Sequence, residues 1–360
     1  MTSSASRIDR FVRPQLRTLQ AYHVPPAAGL IKLDAMENPY TWPDWLLNDW
    51  LNVLRQAVLN RYPDPAAYAL KSRIRDVLDV PGPAGLILGN GSDELIQMII
   101  QTVAAPGCVI MAPEPTFVMY RQLAVVAGLD FRGVPLGADF TLDTDAMIET
   151  VAEHQPAVVF LAYPNNPTGN LFDREAIEFL LSRAPGLVVL DEAYAPFADD
   201  SFMGELGCCD NLLVLRTLSK LGLAGVRLGL LAGDAGWLDE IEKTRLPYNI
   251  STLDQLTGEF ALEHYAVFEE QAKIIRRQRV ELLRRLQSLP GVTAYPSAAN
   301  FILFRVPPGR GGAVFEGVKS GGILIKNLAG SAPSLTDCLR VTVGKPEENA
   351  AFIEVLTSLL

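Results

Sequence analysis

Between residues 84 and 232 the chain repeats one pattern, a short unbroken apolar run followed by a longer amphipathic stretch. The runs are Leu86 to Leu88, Cys108 to Met111, Ala157 to Ala162, Leu187 to Leu190, Leu212 to Leu215 and Leu228 to Ala232. Apolar runs without polar alternation are expected of parallel strands covered on both faces. Stretches such as Glu94 to Val103, Asp145 to His154 and Arg174 to Arg183 supply the covering helices. Alternation at this spacing predicts an α/β layered fold with a mostly parallel central sheet.

From Ser251 the pattern changes. A long helical segment is expected up to Leu289, with Ile275, Leu282, Leu286 and Leu289 on one face and Pro290 ending it. Two strand-like pieces follow, Asn300 to Phe304 and Leu339 to Val343, mixed with helical ones, which reads as a smaller α+β unit. The expected division is an N-terminal arm over residues 1–32, a large domain over 33–250 and a small domain over 251–360. No internal repeat interrupts it.

Charge narrows the partners. The 360 residues carry 31 Lys and Arg against 41 Asp and Glu, a net charge of −10. Such a field repels polyanions, so neither nucleic acid nor an anionic membrane surface is expected as partner. A small anion is still bindable, because a few cations in a cleft overrule the global sign. The four cysteines, Cys108, Cys208, Cys209 and Cys338, form no CxxC pair, which argues against a disulfide framework or a thiolate zinc site. No apolar run approaches the roughly 18 residues of a membrane span. Arg7, Arg10, Arg13 and Arg17 precede no apolar stretch, unlike a secretory signal. A cytoplasmic enzyme is expected.

Three stretches carry chemistry. In 86–100, a strand runs through the turn Gly89-Asn90-Gly91 into a helix, with Ser92 expected as its N-cap. Free amides at a helix start can hold a phosphate. A dinucleotide fold is the rival reading, but Glu94 stands where its third glycine belongs and nearly 90 residues come first. Next, Tyr163 to Gly169 (YPNNPTG) follows the strand ending at Ala162, at the edge where open α/β sheets bind ligands. The following strand ends in Asp191, Glu192 and Tyr194, and a carboxylate there is costly unless it meets a cation. A metal would serve, but His23, His154 and His264 lack ligand spacing.

One strand later Lys220 follows Ser219 and leads through a small-residue loop to Arg227. A partly desolvated lysine is a nucleophile that forms Schiff bases with carbonyl compounds. Helix-start amides and Arg227 for a phosphate, Lys220 for an aldehyde and Asp191 for a ring cation together describe pyridoxal 5′-phosphate. A nicotinamide oxidoreductase would leave Lys220 and Asp191 without a task.

With these residues in place, the chain resembles the fold type I aminotransferases, and among them the histidinol-phosphate branch. The likeness runs through LDAMENPY (33–40), NRYPDP (60–65), GNGSDE (89–94), EPTFVMY (114–120), YPNNPTG (163–169), DEAY (191–194), TLSK (217–220), GLAGVRLG (222–229), AANFILFR (298–305) and CLRVTVG (338–344). It implies a catalytic set of Lys220, Asp191 and Tyr194. Lys220 would hold the cofactor and shuttle a proton, Asp191 would pair with the pyridine nitrogen, and Asn166 and Tyr194 would bond the ring hydroxyl. Phe117 would stack on the ring. Ser92, Asp93, Ser219 and Arg227 would hold the phosphate, joined by Tyr62 from the neighbouring subunit of a homodimer. Arg340, Lys326, Tyr22 and Asn166 would receive the anionic substrates. The implied reaction exchanges an amino group between glutamate and imidazole acetol phosphate, in histidine biosynthesis. An aromatic aminotransferase or a phospho-amino-acid decarboxylase of the same fold is the alternative. Two departures concern the site. Only Leu221 separates Lys220 from Gly222-Leu223-Ala224-Gly225, and Lys326 stands where arginine is common. Lysine lacks the planar fork that grips an anion by two parallel bonds.

Overall fold

The structure, a computed structural model, describes residues 4–21 and 25–360. Tyr22 therefore lies outside the described residues.

A seven-stranded sheet forms the centre, in the order Gly85–Asn90, Leu228–Gly233, Leu212–Thr217, Leu187–Asp191, Val158–Ala162, Val109–Glu114, Asp130–Pro135. All six expected runs are strands within it. Five of them run parallel to one another, while Leu228–Gly233 pairs antiparallel with both neighbours and corrects the expectation of parallel direction there. The cause is the short link from Thr217 to Leu228, which leaves no room for the crossover of a dozen or more residues that a parallel partner needs. The seventh strand, Asp130–Pro135, is not among the apolar runs. It sits at the sheet edge with half of its residues exposed, so it needs no continuous apolar stretch.

Helices Ser92–Thr102, Thr144–His154 and Arg174–Arg183 cover the sheet close to the expected positions. Aspartates cap two of them, Asp143 accepting from the Ala146 amide and Asp173 from the Glu175 amide. Apolar clusters fill both faces, one around Ile96, Ile99 and Phe160, the other around Leu161, Leu190 and Phe202. Both sides of the strands are thereby removed from water, which is why their sequences show no alternation.

The segment after Ser251 is two helices rather than one, Thr252–Glu263 and Tyr265–Gln287. They break at His264, whose backbone leaves helical geometry while its Nδ1 lies 2.9 Å from the Phe260 carbonyl oxygen. Leu289 falls beyond the second helix. Ile275, Leu282 and Leu286 pack as expected, against an antiparallel sheet in the order Lys326–Asn327, Cys338–Thr342, Phe301–Arg305, Thr293–Ala294. The chain also enters this part from its beginning. Ile31–Lys32 pairs in parallel with Ile323–Leu324, and Leu33 and Met36 join the apolar cluster of the small sheet. Further upstream, Arg13 donates to the Val126 carbonyl on helix Met119–Ala127.

The central sheet presents the ends Asn90, Ala162, Asp191 and Thr217 along one edge, with Leu228 beside them. That edge faces the small sheet, and the cleft lies between the two.

Candidate active site

The cleft is lined in part by Ser92, Phe117, Asn166, Asp191, Lys220 and Arg227, with Met36 closing it from the small-sheet side.

Asp191 ends a strand whose five residues are all buried. Its Oδ2 accepts from the Tyr120 hydroxyl at 2.7 Å and its Oδ1 from the Ala193 amide at 3.1 Å. Burial pushes its pKa up to about 6, opposed by these two donors. Among the described residues it forms no ion pair. The cation expected at this strand end goes to the next residue, since Arg216 lies 2.9 Å from Glu192 in a buried pair. Glu192 also accepts from Ser201 and from the Phe202 amide, so it is a structural anchor. Asp191 alone is left with a buried charge that a ligand cation would stabilise.

Lys220 follows the strand Leu212–Thr217 in a tight helical turn, Ser219–Leu223. Its Nζ donates to the Ala35 carbonyl at 3.3 Å and lies 5.9 Å from the Tyr194 ring centroid. Burial, then the charge of Arg340, lowers its pKa to about 8. A sizeable neutral fraction near neutrality makes it a nucleophile.

Opposite them is a cradle of donors. Gly91, not Ser92, holds the N-cap position of helix Ser92–Thr102, with φ of 81°, and Ser92 is the first helical residue. A Cβ on Gly91 would come within 2.5 Å of Arg227 Nη2, so glycine is what lets the guanidinium approach the helix start. Gly229 faces the same constraint from the adjacent strand, where a Cβ would meet Gly91 and Ser92 backbone atoms at 2.7 Å. Arg227 donates to Ser219 Oγ at 3.3 Å and lies 3.5 Å from Asp93. Its φ of 53° turns the short loop back, so the shortened segment after Lys220 still delivers it here. Thr217 Oγ1 accepts from the Ser219 amide and joins the cradle.

A third group links the cleft to the small sheet. The Asn166 amide donates to the Tyr194 hydroxyl at 3.0 Å, and Asn166 Oδ1 accepts from Arg340. Arg340 also donates to the Asp34 carbonyl at 3.1 Å. It lies in strand Cys338–Thr342 directly opposite Lys326, so two cations share one patch of sheet. Like charges so placed repel unless an anion sits between them.

Of the expected residues, Ser92, Asp93, Phe117, Asn166, Asp191, Tyr194, Ser219, Lys220 and Arg227 meet at the cleft. Arg340 touches it through Asn166. Lys326 is not among the residues that line it and is joined to it by its strand partner Arg340. Tyr62 stands apart, 79% exposed and stacked on Tyr248 with ring centroids 4.3 Å apart. Tyr120, Thr217, Met36 and Ala35 also belong to the site, and no sequence feature singles them out. Tyr120 stands inside EPTFVMY (114–120), three residues after Phe117, but nothing local to the motif announces its bond to Asp191.

A buried carboxylate without a cation, a lysine of lowered pKa and a cradle of anion donors form one donor set around one cleft. They fit pyridoxal phosphate at its ring nitrogen, aldehyde and phosphate. The family model for class I and II aminotransferases matches residues 28–356. The chain belongs to this family. Its cofactor is pyridoxal 5′-phosphate. The aminotransferase is 56% identical to a histidinol-phosphate aminotransferase of Nitrosococcus oceani over 350 residues, 97% of each chain. It is 51% identical to one from Cupriavidus pinatubonensis, covering 99% of this chain and 98% of that one. Among solved structures, the histidinol-phosphate aminotransferase of Sinorhizobium meliloti in complex with pyridoxal-5′-phosphate shares the fold, with a TM-score of 0.85 and 23% identity over 99% of both chains. The fold type I architecture is thus that of the aminotransferases. Among the described residues no helix is long and apolar enough to cross a membrane, and no cluster of ligands could hold a metal.

Proposed function

We propose that this aminotransferase exchanges an amino group between L-glutamate and imidazole acetol phosphate, giving L-histidinol phosphate and 2-oxoglutarate. The observation that carries the reading is the near end-to-end identity with histidinol-phosphate aminotransferases, on a site that keeps both the lysine and the unpaired carboxylate.

When bound, pyridoxal phosphate supplies an electron sink for the pair left at the substrate Cα. The protein's own tasks follow from its groups. Lys220 Nζ would hold the cofactor between turnovers and carry the proton to and from Cα. The Asp191 carboxylate, restrained by Tyr120, would keep a proton on the pyridine nitrogen. Tyr194 and Asn166 would orient the ring hydroxyl, and Phe117 would cover a ring face. Ser92, the Asp93 amide, Ser219 and Arg227 would hold the phosphate. Arg340 grips the substrate anion, a carboxylate in one half-reaction and a phosphate in the other, and Lys326 beside it adds charge. Tyr22 contacts substrate in the same reading.

The enzyme works in the cytoplasm as a homodimer with shared sites. Support for the dimer comes from Tyr62, whose exposed ring shares a surface depression with Leu59, Tyr248 and Leu253, away from its own cleft. In the partner's site it would reach the cofactor phosphate. In the same reading residues 33–250 bind cofactor, 251–360 close the cleft, and the arm before them meets both, Arg13 resting on helix Met119–Ala127 and Ile31–Lys32 pairing with the small domain.

The test is a half-reaction series on the cofactor-loaded enzyme, following the bleaching of the cofactor's visible band. Histidinol phosphate should react far faster than phenylalanine. Loss of carbon dioxide from phosphothreonine, or faster reaction of phenylalanine, would replace this reading with one of its alternatives.

A further inference from the structure

Two residues that line the cleft have a left-handed backbone, Arg227 and Met36. Arg227 ends a helical turn, where such a conformation is common. Met36 has no such excuse. Its φ of 54° places a long side chain where few residues other than glycine, asparagine and aspartate settle. Strain of this kind persists only where the surroundings over-determine it, and it gathers at functional sites.

The surroundings are explicit. The Met36 amide donates to Thr342 Oγ1 at 3.0 Å, and its carbonyl accepts from Asn300 Nδ2 at 3.0 Å. Both pins are buried: Thr342 ends strand Cys338–Thr342, and Asn300 immediately precedes the neighbouring strand, where Phe301 pairs with Thr342. The two preceding carbonyls point the other way, into the cleft. That of Asp34 accepts from Arg340 and that of Ala35 from Lys220. The chain is tied down on both sides of these two carbonyls, at Leu33 and at Met36, so the kink fixes where they point.

We propose that Met36 is a positioning residue: its left-handed turn, pinned by Thr342 and Asn300, sets the Ala35 carbonyl against Lys220 Nζ and so orients the amine in the cleft. A carbonyl in that place accepts an N–H and favours the charged amine. It works against burial and against the cations Arg340, from strand Cys338–Thr342, and Arg227, from the cradle. Glu37 on the same turn and Asp93 on the facing helix act in its direction, and the Tyr194 ring lies alongside. Withdrawing the carbonyl removes the acceptor and lets the proton leave at lower pH. The inference rests on Lys220 being the reactive amine, and is independent of which substrate the enzyme takes.

The full chain freed of cofactor is labelled with formaldehyde and cyanoborohydride across pH, and the peptide carrying Lys220 is quantified by mass spectrometry. Met36→Val puts a β-branched residue where φ is positive and should displace the turn, lowering the labelling midpoint by about one pH unit, a tenfold change in proton affinity. Thr342→Val removes the pinning hydroxyl at similar volume and should shift it the same way. Met36→Asn tolerates the left-handed turn and should keep the parent midpoint. Pyridoxal phosphate affinity, measured separately, should follow the same order. Parent-like midpoints in both valine variants would overturn the proposal, and so would Met36→Asn shifting as far as Met36→Val. Slow transamination of histidinol phosphate with these shifts intact would overturn the substrate reading and leave this one standing.

Discussion

The Tyr120 hydroxyl donates to Asp191 Oδ2 at 2.7 Å, and both groups are buried. Tyr120 is held from two sides, stacked on Phe160 at 4.7 Å between centroids and edge-on to Phe117 at 5.5 Å. Its ring has little freedom to turn, so its hydroxyl is a fixed donor to the buried carboxylate of the cleft.

Tyr120→Phe keeps this packing and deletes the donor. A hydrogen bond to a charged group is worth roughly 1.5–3 kcal/mol, so pyridoxal phosphate affinity should fall about tenfold or more. In the cofactor-free chain the Asp191 pKa should also move further up, because a donor that favours its charged form is gone. Equilibrium titration of cofactor and the pH dependence of cofactor-free thermal melts check both. Unchanged affinity would make Tyr120 a packing residue only.

Lys220 and Asp191 should tilt the stability of the cofactor-free chain in opposite directions. The folded-state pKa of Asp191 is raised, so the native state holds a proton that the unfolded chain gives up, and stability falls as pH rises from about 4 to about 6. The folded-state pKa of Lys220 is lowered, so the unfolded chain holds more protons between about 8 and 10.5, and stability rises with pH there. Thermal melts of Asp191→Asn should lack the fall, and melts of Lys220→Met should lack the rise. Lys220→Ala should also retain cofactor yet lose transamination, and near-normal turnover in it would end the mechanism.

Arg340 and Lys326 should carry unequal loads although they face each other across the strands. Arg340→Ala should cost roughly 2–5 kcal/mol in kcat/KM, the range for truncating one member of a buried charge pair. The loss should appear with both glutamate and histidinol phosphate, since one site serves both. Lys326→Ala should cost less, and Lys326→Arg should be tolerated. Kinetics of the two half-reactions decide it, and parent-like values for Arg340→Ala would remove the anion site.

Tyr62→Phe should weaken cofactor binding by roughly 0.5–3 kcal/mol, the range for one hydrogen bond to a neutral or charged partner. In mixed dimers with Lys220→Ala, activity should depend on which chain carries the tyrosine. A fully active monomer, seen by sedimentation at assay concentration, would refute the shared site.

The parts of this site that were legible in the sequence are those where chemistry is local. Lys220 with Ser219, Asp191 at a strand end and Gly91 before a helix each carry their meaning within a few residues. The relationships that complete the site are long-range. Tyr120 and Asp191 are 71 positions apart, Asn166 and Arg340 174, and Met36 and Thr342 306. No periodicity encodes such meetings. The direction of Leu228–Gly233 was hidden for another reason: buried strands look alike whichever way they run, and only the length of the link reveals it. Edge strand Asp130–Pro135 escaped because solvent, rather than a helix, covers much of it.

The small sheet borrows from the start of the chain. Ile31–Lys32 pairs with Ile323–Leu324, the Thr342 amide donates to the Leu33 carbonyl, and Met36 hangs on Thr342. These partners lie about 300 positions downstream of the segment they hold. The wall of the cleft that carries Asp34, Ala35 and Met36 is therefore built at the entropic cost of closing a loop of that length. Any loosening of strand Cys338–Thr342 releases Met36 and with it the acceptor facing Lys220, so the integrity of a remote sheet is read out at the amine.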